Sequence, residues 1–183
     1  MQRRGWTLFE VVALTAMVAS VAVVAIPWVS KRIDQSRTRV AIDNIDKLVR
    51  ASAVYISTPL VDPSGLPLQC QFPGPAPVTP ADSCCGGSAD GDDDGECDPD
   101  PKAWDAPTWR ALGFAVTEPH RFVYSYAGEG TGDNARFAAT AQGDLDCDGQ
   151  RSTFERTGSG VRKGKDRCTL RLAPAFTIRD RLE

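Results

Sequence analysis

Residues 11–30 run for twenty positions without a charge, bounded by Glu10 before them and Lys31-Arg32 after. A helix of that length rises ~30 Å, the thickness of a bilayer's hydrocarbon core. Further on the pattern turns amphipathic. Ile42, Ile45, Leu48, Val49, Ser52, Ala53 and Ile56 recur at intervals of three and four, with charges opposite, which is one face of a helix. No capping signal separates the two patterns, so they predict one helix from about Thr7 to about Ser57, ended by Pro59. Such a helix is ~75 Å long, and its second half needs a surface to pack on. Pro27 lies inside it, where it removes a backbone hydrogen bond and bends or loosens the rod.

Residues 58–101 are rich in Pro, Gly, Ser and Asp and show neither period, so they read as an irregular segment, ordered by the four cysteines within it. Asp90, Asp92, Asp93, Asp94, Glu96, Asp98 and Asp100 read as a solvated acidic loop, with a hard-cation site as the alternative. Residues 106–113 predict a short helix stopped by Gly113, and Trp104, Trp109, Leu112 and Phe114 read as core. Residues 121–126, 135–142 and 152–157 predict strands between Gly- and Asp-rich turns, with 168–172 as a fourth, and turns this short imply antiparallel pairing. His120 has no nucleophile motif beside it and reads as structural.

Composition adds two constraints. The net charge is only -3 and the basic residues are scattered, which disfavours nucleic acid as a partner. The six cysteines, Cys70, Cys84, Cys85, Cys97, Cys147 and Cys168, read as a disulfide framework outside the cytoplasm, with fifteen pairings open. No Cys-x-x-Cys occurs and His120 is the only histidine, so the spacing of a closed zinc site is absent. The favoured bridges are Cys147 with Cys168 and one within 70–97, with Cys84 and Cys85 taking different partners, because a vicinal bridge is strained.

Residues 144–155 carry the most specific spacing in the chain. Asp144, Asp146, Asp148 and Glu155 stand at positions one, three, five and twelve with Gly149 at six, the pattern of an EF-hand calcium loop. The same residues also read as an Asp- and Gly-rich hairpin turn between strands, and both readings stand at this point. No cofactor is required, and Ca2+ is the ion the spacing admits. No nucleophile and base pair or open metal site assembles, so the chain does not read as an enzyme.

The order Gly5-Trp6-Thr7-Leu8-Phe9-Glu10 resembles the class III signal junction of type IV pilins and pseudopilins, with Trp where that family usually has Phe. The resemblance implies that a prepilin peptidase cuts after Gly5 and methylates Trp6. It also implies that Glu10 pairs with the positive amino terminus of a neighbouring subunit, and that Pro27 is the kink proline common in those helices. A lone carboxylate beside an apolar run calls for a partner of this kind.

The fold class expected is α+β and type IV pilin-like: a long N-terminal helix, forming a membrane or filament core, packed on a small, mainly antiparallel sheet. The expected divisions are a leader (1–5), a helix (6–57, with 11–30 transmembrane before assembly) and a disulfide-tied head (58–183). The expected function is a structural subunit, a major or minor pilin, in a filament with other pilins. Its partners are the prepilin peptidase, an inner-membrane assembly platform and, before assembly, the membrane itself. Its expected location is the inner membrane, single-pass with the head in the periplasm, and afterwards the pilus or a periplasmic pseudopilus. A type II secretion pseudopilin is the alternative within that family, and a membrane-anchored extracytoplasmic binding protein the alternative outside it.

Overall fold

The computed structural model describes residues 8–59, 61, 63–65, 69–86, 95–164 and 167–181, with the backbone alone described at 24 and 26–34. Two compact units result, Met1–Ser36 and Arg37–Glu183. Helix α1, Leu8–Ser57, runs through both. In the first unit its described side chains are almost all exposed, and the hydroxyls of Thr15 and Ser20 donate back to the carbonyls of Val12 and Ala16. That local bonding is how a hydroxyl in a helix stays satisfied.

The second unit is built on a six-stranded antiparallel sheet: β1 (Ala76–Thr79), β2 (Val123–Glu129), β3 (Arg136–Gly143), β4 (Ser152–Arg162), β5 (Cys168–Leu172) and β6 (Thr177–Arg179). The order is β1-β2-β3-β4-β5, with β6 also on β4. Gly158 faces Leu172 while Glu155 faces Thr177. β5 and β6 are thus one edge strand, interrupted by a two-residue excess that contains Pro174, a residue edges and bulges tolerate. Buried positions alternate along β3 with period two, as a sheet with one covered face requires.

That face is covered by residues 37–57 of α1, whose Thr38, Ala41, Asn44, Ile45, Leu48, Val49, Ser52 and Ile56 are buried at helical spacing. Ala139 and Ala141 of β3 are fully buried. Two tyrosines of β2 fasten the helix to the sheet. Asn44 Nδ2 donates to Tyr124 Oη at 2.8 Å, and Ser52 Oγ lies 2.9 Å from Tyr126 Oη. Burial pushes both phenols well above their ordinary value, so they remain neutral hydrogen-bonding groups. Tyr124→Phe leaves the Asn44 amide short of a buried partner and is expected to cost about 1–3 kcal/mol. Urea unfolding checks this, and Asn44→Leu combined with Tyr124→Phe should recover part of the loss.

Helix α2, Pro107–Leu112, carries Pro at its start and ends at Gly113, whose φ of 58° is the left-handed cap glycine tolerates. It seats Trp109 in the core beside Trp104 and Phe114, with ring centroids 5.5 Å away in both cases. The tryptophans are packing groups, as the sequence implied: Trp104 is 4% exposed and Trp109 0%.

The expected fold class and location are both corrected. Among the described residues no helix is long and apolar enough to cross a membrane. The fold is organised by a six-stranded antiparallel sheet, and the expected pilin-like class built on a membrane-spanning helix does not stand. The single-pass inner-membrane placement falls with it.

The favoured Cys147–Cys168 bridge is corrected too. The bridges are Cys70–Cys168, Cys84–Cys97 and Cys85–Cys147. Cys147 precedes the first residue of β4, whereas Cys168 pairs with Arg162 at its last. A strand of eleven residues holds those ends ~33 Å apart. One bridge within 70–97, and different partners for Cys84 and Cys85, are what the structure has.

Candidate functional site

Two regions concentrate chemistry. The first is the start of α1. Leu8, Phe9, Val11, Val12, Leu14, Met17, Val18, Val21 and Val23 are all exposed, and Met17, Val18, Val21 and Ala22 line an open apolar groove. Glu10 stands exposed in the first turn, where the helix dipole favours a negative charge. The backbone is helical across Pro27. Gly5 and Trp6, the expected processing positions, lie outside the described residues.

The second region is the cysteine-rich end of the sheet domain. Cys84–Cys97 links two positions 13 apart in sequence, and Cys85–Cys147 ties the start of that stretch to the β3–β4 loop. Arg121 Nε donates to Glu96 Oε1 at 3.1 Å across a partly buried pair. Cys97 and His120 exchange backbone hydrogen bonds of 2.7 and 3.2 Å. The acidic residues 90 and 92–94 lie outside the described residues.

The Asp144 loop divides the expected calcium ligands. Asp144, Asp146 and Asp148 bring carboxylate oxygens within 4.8 Å of one another, while Glu155 sits on β4 opposite Thr140 and Thr177 and outside that cluster. Asp144 already accepts from the backbone N–H groups of Asp148 and Gly149, at 3.2 and 2.9 Å. Gly149 holds φ at 94°. The loop is closed by its own hydrogen bonds, as an aspartate- and glycine-rich turn is.

His120 is 4% exposed and packs against Trp104 and Tyr124. Its Nδ1 lies 3.0 Å from the Glu118 carbonyl. A carbonyl only accepts, so Nδ1 carries the proton and Nε2 the lone pair. Burial lowers the imidazole's pKa below its ordinary 6.5, against smaller upward pulls from the Glu118 carbonyl and Glu96. Because the folded value lies below the unfolded one, this contribution to stability is complete above about pH 6.5 and is lost as pH falls below it. Its slope is at most ~1.4 kcal/mol per pH unit. Stability measured against pH should lose that component in His120→Gln, with the difference confined to the acid side of 6.5.

Sequence reasoning placed His120 as structural and saw neither its neighbours nor its tautomer. The only available signal was a lone histidine beside an aromatic and cysteine-rich segment. No family model matches the chain, and comparison with curated proteins and with solved structures finds no match.

Proposed function

We propose that the chain is a structural subunit of a type IV pilus-like filament, cut after Gly5 and assembled through its N-terminal helix. The observation that supports this reading is the run of nine large exposed apolar side chains, Leu8 to Val23, on α1. Covering such side chains contributes about 1.5–3 kcal/mol each before the cost of association. A second copy offers the same surface in the same order, so stacked helices bury it on every subunit at once. Glu10 sits at the end where a neighbour's amino terminus would meet it, and a charge pair there favours one register over others. The disulfide-tied sheet domain would form the filament's outer surface.

Val18→Asp, placed mid-face, and Glu10→Ala, at the end, test the reading in cells that make the protein. Both variants should keep the three bridges and stay out of the sedimenting fibre fraction that holds the wild-type chain. Recovery of Val18→Asp in fibres at the wild-type level would overturn the proposal.

A further inference from the structure

We propose that Cys84, Cys97 and His120 form a redox-gated site for zinc(II), closed while the two cysteines are bridged and open once they are reduced. Both sulfurs and a ring nitrogen of His120 lie within 4.8 Å of one another, although no spacing in the sequence announces the group. Zinc needs its ligands at about 2.3 Å for sulfur and 2.0–2.1 Å for nitrogen, so a modest opening of the two side chains suffices.

Three features make this a built site rather than a coincidence of residues. The histidine is oriented as a ligand, since the Nδ1 proton goes to the Glu118 carbonyl, the arrangement that fixes the tautomer in most metal-bound histidines. Its Nε2 is buried with no hydrogen-bond partner among the described residues, a cost the fold carries unless something uses the lone pair. Cys97 and His120 are held together by their backbone pairing, which does not depend on the disulfide. A cavity of about 90 Å³ lined by Arg37, Glu96 and Pro119 reaches His120.

The redox step balances. A phosphine reductant gives two electrons to the Cys84–Cys97 bond and, with one water, leaves as its oxide while both sulfurs become thiols. Zinc binding then displaces the two thiol protons to solvent. In reverse, the thiolates pass two electrons to an external disulfide, which takes two protons from solvent and leaves as thiols while the bridge re-forms and zinc departs. Cys85, Cys147 and Asp144 make a second cluster, but it lacks a histidine and its carboxylate is engaged by the loop's own N–H groups.

Reducing the full chain with tris(2-carboxyethyl)phosphine, adding zinc and alkylating with iodoacetamide reads the site residue by residue in a mass spectrum. Zinc should slow labelling of Cys84 and Cys97 at least tenfold relative to Cys70 and Cys168. Cobalt(II) in place of zinc should give the intense visible bands of a tetrahedral site. His120→Gln should weaken zinc binding by at least about tenfold, while Cys85→Ser with Cys147→Ser leaves the protection of Cys84 and Cys97 unchanged. Protection spread evenly over all six cysteines, protection confined to Cys85 and Cys147, equal zinc affinity in His120→Gln, or equal binding by the oxidised chain would each overturn the proposal.

Discussion

Replacing Cys70 and Cys168 together with serine is expected to lower stability by about 4 kcal/mol. The bridge joins positions 98 apart in sequence, and a ring of that size would by chain entropy contribute ~4.7 kcal/mol. The Cys85–Cys147 bridge lies inside the same span, so with it intact the ring shrinks to about 36 residues and the contribution to about 3.8 kcal/mol. Cys70 also accepts the Gly132 N–H at its carbonyl, 2.7 Å away, which helps hold that backbone in place without the sulfur link. Differential scanning calorimetry should show Tm falling by roughly 10–15 °C, with the other two bridges still formed. A shift of under about 3 °C would mean that the reduced-edge chain is already constrained when unfolded.

Trp109→Ala is expected to cost about 3–5 kcal/mol. The side chain is fully buried, its ring lies 5.5 Å from both Trp104 and Phe114, and its Nε1 donates to Thr79 Oγ1 at 2.9 Å. Truncation opens a cavity and strips a partner from Thr79, the residue that ends β1. The loss should therefore exceed that of Trp109→Phe, which keeps most of the volume and forfeits the hydrogen bond. Guanidinium unfolding of both variants separates the two contributions, and equal losses would show that the hydrogen bond, not packing, carries the effect.

The elements with strong local signals were legible in the sequence. The helical face from Ile42 to Ile56 follows from the three- and four-residue spacing, α2 from Pro107 and Gly113, and β2, β3 and the first half of β4 from their β-branched and aromatic runs. β1 was not legible, because Ala76-Pro77-Val78-Thr79 is short and carries a proline that only an edge tolerates. β6 is three residues that the sheet recruits as a continuation of β5. The second half of β4, Gly158 to Arg162, hides behind glycines. There a side chain would have to displace its neighbours, since a Cβ at Gly158 would meet Phe137 Cε1 at 2.5 Å and one at Gly160 would meet Ile56 Cδ1 at 2.7 Å.

The bridge expected between Cys147 and Cys168 does not form, because β4 at its full length puts them at opposite ends. The twenty-residue uncharged run led sequence reasoning to a membrane-crossing helix. Among the described residues no helix is long and apolar enough to cross a membrane. The cluster of Cys84, Cys97 and His120 left no trace in sequence because its members come from segments far apart in the chain that meet only in the fold.

The central claim is that the exposed apolar residues of α1 are covered by other copies of the chain. The most direct measurement places a photocrosslinking amino acid at Val18 in cells producing the protein, irradiates them, and resolves the products by mass. A ladder of dimers and higher multimers, crosslinked between Val18 and residues of the same helix in another copy, is the result the account predicts. Adducts to lipid alone, or a chain that remains monomeric, would contradict it.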